Sequence, residues 1–183
     1  MQSEILIQTL LKQIRQIINQ AEKLKNYDLQ VLTWREHETS WNILECLEHL
    51  NLYGEFYLPQ IENKIKNSDT KTDIEFKSGI LGKYFAKTML PKEKLNKMKT
   101  FKDKNPLNNN LDTTVISKFI NQQIKLAELL NQSGKVSLNK VKIQISISSL
   151  IKLKLGDTFQ FYVNHMIRHL NQIDRIEASM KDA

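Results

Sequence analysis

Apolar side chains recur every three to four residues along four stretches of this chain, and that spacing predicts four long amphipathic helices. The first covers residues 3–26, with Ile7, Leu10, Leu11, Ile14, Ile17, Ile18, Ala21 and Leu24 on one stripe. The second runs from Trp41 to Lys66, after an aperiodic connection at 27–39 in which Thr39 or Ser40 is placed to cap it. Pro59 falls inside that helix, where its missing N–H and the crowded carbonyl of Glu55 predict a kink or an early end. The third spans Thr113 to Asn131, capped by Asp112 and stopped at Gly134. The fourth opens at Gly156-Asp157 and runs from Thr158 to Ala178, with Phe159, Val163, Met166, Leu170 and Ile173 facing inward.

Between these stretches the period breaks. Residues 67–110 are punctuated by Gly79, Gly82, Pro91 and Pro106, and only Ile80 to Leu90 resembles a short helix. A connection of that length can carry the chain from one end of a bundle to the other, leaving the third helix parallel to the second. Residues 136–147 end in strand alternation, with Val141, Ile143, Ile145 and Ile147 apolar and Lys142, Gln144 and Ser146 polar. With no evident partner, this segment is expected to be an extended arm lying across the bundle before helix four; pairing with a second subunit would also suit its open edge. The fold class is therefore all-α, a four-helix bundle forming one domain over residues 1–183.

Composition adds limits. A chain of 183 residues buries enough surface to need no crosslinks, and the lone Cys46 rules out an intrachain disulfide and gives no sign of an oxidising compartment. No run reaches the roughly 18 apolar residues of a membrane span, and the N-terminus lacks a basic leader, so the expectation is a soluble, cytoplasmic protein without a membrane partner. The net charge of +7 resides in residues 64–104, which hold twelve lysines against five acids. Such a segment could track phosphates, but its bases are all lysine and its aromatics few, so nucleic acid is not the expected partner.

The chemistry lies in the histidines. His165 and His169 are four residues apart, which places both rings on one face of helix four, one turn apart. His49 on helix two can supply a third nitrogen, making a facial set that leaves positions open on a divalent metal. Imidazole accepts zinc, nickel, iron and copper alike. Glu45 lies one turn before His49 and Tyr53 one turn after it; Glu45 could orient an imidazole or take a proton, or simply be an exposed surface acid. Cys46 reads as a small buried hydrophobe, and His37 is expected to face solvent.

The run Ser40-Trp41-Asn42-Ile43-Leu44-Glu45-Cys46-Leu47-Glu48-His49-Leu50, the following Tyr57-Leu58-Pro59, and Gly156-Asp157 with His165-x-x-Arg168-His169-x-x-Gln172-Ile173 resemble the DinB/YfiT-like superfamily in order and spacing. That resemblance implies an up-down-down-up bundle with a long crossover between helices two and three. It also implies a divalent metal, zinc or nickel foremost, held by His49, His165 and His169. The family's characterised members include thiol-dependent S-transferases and a metal-dependent hydrolase, and they are commonly homodimers. The expected activity is activation of a low-molecular-weight thiol or of water against a small-molecule substrate, with Glu45 the nearest general base; the alternative is a metal-binding or stress-response bundle without catalysis. Where the family often has serine after the tryptophan, this chain has Asn42.

Overall fold

A computed structural model describes residues 1–90 and 100–181. Four long helices carry the fold: α1 (Ser3–Leu24), α3 (Ile43–Lys66), α5 (Thr114–Ser133) and α6 (Leu155–Lys181), with two shorter ones, α2 (Leu29–Leu32) and α4 (Ile80–Met89). Both α1 and α3 pack against α5 and α6, so each long helix meets two neighbours around a shared core. The expected stripes point into it: Leu10, Ile14, Ile17 and Leu24 of α1, and Phe159, Val163, Met166, Leu170 and Ile173 of α6, are all buried. Ile14 is wholly enclosed, and cutting such a side chain back to alanine costs about 2–5 kcal/mol.

Two features differ from expectation, each for a local reason. The cap of α3 is Asn42, not Thr39 or Ser40. Asn42 Oδ1 accepts from the Glu45 N–H at 2.8 Å while Glu45 Oε2 accepts from the Asn42 N–H at 2.9 Å, a reciprocal capping box. Ser40 instead closes a turn onto His37. The connection at 27–39 is not wholly aperiodic, since α2 forms within it and buries Leu32. Pro59 lies inside α3 without ending it, and the helix runs to Lys66 as expected.

The extended arm is corrected. Strand β1 (Lys142–Ile145) pairs antiparallel with β2 (Ser148–Lys154), the segment that follows it directly, in a two-stranded sheet with an irregular register at Gln144/Ile145. The strand expected to lack a partner thus finds one in the same hairpin, and the fold is mostly helical with a small sheet rather than purely α. The second strand is hard to read because Leu150 points to solvent and Ser148 and Ser149 break the alternation. α6 then starts at Leu155, three residues before the expected Thr158.

In the long crossover, α4 packs on α6 and β2. Asp157 in the first turn of α6 accepts from the Ser78 hydroxyl and from the Gly79 N–H at 2.9 Å, which pins the start of α4 to α6. Pro91 and four of the twelve lysines of the basic segment lie outside the described residues.

Candidate metal centre

α3 and α6 pack side by side, and His49 faces His165 and His169 across that contact. The Nε2 atoms of His49 and His165 are 3.2 Å apart, and those of His169 and His165 are 3.0 Å apart. All three residues are buried, and their ligand atoms lie within 4.8 Å of one another. These are the three histidines picked out by spacing, now converged on one point.

The outer nitrogens show which way each ring is set. His49 Nδ1 donates to the carbonyl of Lys104 at 2.6 Å, and His169 Nδ1 donates to Gln172 Oε1 at 2.9 Å. A carbonyl oxygen only accepts, so the proton sits on Nδ1 of both rings and leaves their Nε2 lone pairs aimed inward. His165 Nδ1 is buried and has no hydrogen-bond partner among the described residues. Burial keeps all three rings neutral. It lowers the pKa of His49 to about 4 against the bond to Lys104, and that of His169 to about 3 with help from His49 nearby. His165 is pushed well below the usual range by burial and then by His169.

The donor set fits a divalent ion. Three neutral imidazoles carry three N–H protons, two of which are committed outward, so one proton must serve three inward nitrogens. At least one buried lone pair is left unmet in the protein alone. A cation accepts all three lone pairs at once. Nitrogens bound at about 2.0–2.1 Å around a tetrahedral zinc lie roughly 3.3 Å apart, close to the 3.2 and 3.0 Å that separate His165 Nε2 from those of His49 and His169.

Aromatic rings enclose this cluster. Trp41 lies 4.7 Å from His49 and 5.7 Å from His169, Tyr53 lies 4.6 Å from His165 and 5.0 Å from His49, and Phe161 stacks on His165 at 6.0 Å. Burial raises the Tyr53 pKa to about 12, so its phenol is neutral. The Trp41 Nε1–H donates to Asn105 Oδ1 at 3.1 Å. The crossover therefore closes one side of the site through Lys104 and Asn105.

Glu45 is not an exposed acid. It is fully buried, and besides the capping box its Oε1 accepts from the Asn108 N–H at 2.7 Å and from Arg35 Nη2 at 3.0 Å. Among the described residues the group able to share an ion consists of the three histidines without Glu45. The acceptor that orients His49 is the Lys104 carbonyl. Cys46 is buried as expected, and burial followed by the charge of Glu45 pushes its thiol pKa up. His37 faces solvent, as expected. Sequence reasoning missed Lys104, Trp41 and Arg35. A backbone carbonyl has no side-chain signal, while a tryptophan beside the helix-two cap carried one that spacing from His49 could have exposed.

The sequence profile described as the DinB superfamily matches residues 10–173. No curated protein and no solved structure gives a significant match.

Proposed function

Because the chain belongs to the DinB superfamily, we propose that His49, His165 and His169 hold a divalent metal ion, zinc or nickel, in a site that activates a low-molecular-weight thiol or water for S-transfer or hydrolysis of a small molecule. The observation that carries this reading is the convergence of three Nε2 atoms with the outward nitrogens of His49 and His169 tied to carbonyl oxygens. A bound ion of this kind supplies Lewis acidity, drawing the pKa of a coordinated thiol or water towards neutrality. The protein's own groups do the rest. The Lys104 carbonyl and Gln172 hold two imidazoles in the binding tautomer. Trp41, Tyr53 and Phe161 provide apolar walls that keep bulk water from the nucleophile.

Glu45 enters with two roles that experiment separates. As a general base it would have to release Arg35 or Asn108; as a positioning residue it keeps both and anchors the crossover that orients His49. Its existing bonds favour the positioning role and lend weight to a second reading, a metal-binding bundle without catalysis. The family resemblance also supports an up-down-down-up run of the long helices and a homodimer, and a lone buried cysteine suits a cytoplasmic setting.

Elemental analysis of the purified protein tests the ion; content far below one equivalent after reconstitution with zinc or nickel would remove both readings. Turnover of monochlorobimane with a panel of thiols tests catalysis, and activity unchanged in His49→Ala would take this site out of the mechanism.

A further inference from the structure

β2 packs against α4, and their exposed surface takes no part in the metal site. On β2, Leu150, Lys152 and Lys154 alternate to one side, and the register sets Lys142 opposite Lys154 and Gln144 opposite Lys152. Lysines directly opposite one another repel, so this pairing lowers stability unless an anion lies over it. The Lys154 ammonium donates to the Lys77 carbonyl, and its side chain reaches Gly79. The start of α4 is thereby brought to the same side. α4 buries Gly82, Ala86 and Met89 and turns Ile80, Lys83, Tyr84 and Lys87 to solvent. Ile80 and Leu150 are each 91% exposed and Tyr84 is 62% exposed, an unusual amount of large apolar surface to leave beside lysines.

Residues 76–90 and 140–156 contain seven lysines and no acid. The next acid in the chain, Asp157, is buried and taken up by Ser78 and Gly79. Among the described residues, none of Lys83, Lys87, Lys142 and Lys152 pairs with a carboxylate. We infer that this face docks the protein on an anionic lipid surface, with Ile80, Tyr84 and Leu150 entering the headgroup boundary and the lysines meeting lipid phosphates. Nucleic acid suits it less well. The face has no arginine fork for bases and one aromatic ring for stacking, and protruding aliphatic side chains serve neither purpose.

Co-sedimentation of the full chain with vesicles of phosphatidylcholine, alone or with about one-third phosphatidylglycerol, tests the inference. Pelleting is expected with the anionic vesicles only and should weaken as salt is raised. Lys142→Glu/Lys152→Glu should lower partitioning by about thirtyfold or more, and Ile80→Ser/Leu150→Ser should lower it severalfold. Lys12→Glu/Arg15→Glu, an equal charge change on the exposed face of α1, should leave it unchanged. All these positions are exposed, and circular dichroism checks that each variant folds. Failure to pellet, equal loss in the α1 variant, or tighter binding of an oligonucleotide than of vesicles would overturn the inference. So would a wild-type dimer that Ile80→Ser/Leu150→Ser converts to monomer, because a second copy would then cover the face.

Discussion

Replacing Glu45 by glutamine keeps the side-chain shape and removes the charge where three chain segments meet. The carboxylate takes two backbone N–H groups, from Asn42 and Asn108, and the guanidinium of Arg35. An amide has one acceptor oxygen. Whichever way it turns, its NH2 faces a donor, and one buried backbone N–H loses its partner at about 1–3 kcal/mol. Arg35 also loses its ion pair, but with 24% of its side chain exposed it can turn towards water, so that loss adds about 1 kcal/mol at most. The total is about 3 kcal/mol, which in a chain of this size lowers Tm by about 6–12 °C. Thermal unfolding followed by far-ultraviolet circular dichroism should be run with a chelator present, because any bound metal would add its own stabilisation. Metal affinity in the same variant should fall roughly tenfold, since the Lys104 carbonyl that sets His49 belongs to the segment Glu45 anchors. A Tm within about 2 °C of wild type would refute the network as described. Unchanged Tm and affinity with abolished turnover would point to the general-base role instead.

His49→Ala should reduce bound zinc or nickel from about one equivalent to a small fraction, measured by equilibrium dialysis, while leaving the fold intact by circular dichroism. Gly54→Ala should destabilise by about 1–3 kcal/mol in urea unfolding, because a Cβ there would overlap Gln122 Oε1 and sit 2.9 Å from Tyr162 Oη; shortening Gln122 to alanine in the same chain should recover part of the loss. In metal-free protein, the unfolded chain protonates its histidines below pH 6.5, whereas folded His49 and His169 wait until about pH 4 and about pH 3. The unfolded state thus binds more protons across that window, and these residues leave stability intact above pH 6.5 and erode it as pH falls through 4. The urea midpoint should follow this course, with a shallower slope in His49→Gln; an equal slope in the two proteins would show that the imidazoles are not held neutral by burial.

The parts of the fold written in long repeated patterns were legible. The stripes of α1, α3, α5 and α6 put their apolar residues in the core because one period governs each for five turns or more. Features resting on a single interaction were not. Asn42 wins the cap from Ser40 because Glu45, three residues on, completes the reciprocal pair, a contest that composition alone does not rank. β2 was hidden because a two-stranded hairpin with one face in water needs few apolar residues, and its most prominent one, Leu150, faces outward. At the site, the ligand candidates could be found because side-chain identity and spacing carry them. Their orientation could not, because it depends on the Lys104 carbonyl, 55 residues from His49 in the chain.

That dependence ties the candidate metal centre to the crossover energetically. His49 is set by Lys104, Trp41 by Asn105, and the nearby Asn108 by Glu45, so one short segment touches both the imidazole cluster and the cap of α3. An ion that binds only when His49 presents Nε2 favours the docked crossover over any detached state. The docked crossover favours the ion by the same free energy, because linkage between two equilibria is reciprocal. Amide exchange protection should therefore rise at Asn108 when zinc is added, although Asn108 is not part of the ion-sharing histidine group. In Glu45→Gln the same rise should be larger relative to its metal-free baseline, because more undocked crossover remains for the ion to recover. Protection at Asn108 that is indifferent to zinc would mean that the crossover and the histidines are neighbours without being coupled, and that His49 is held by its place on α3 alone.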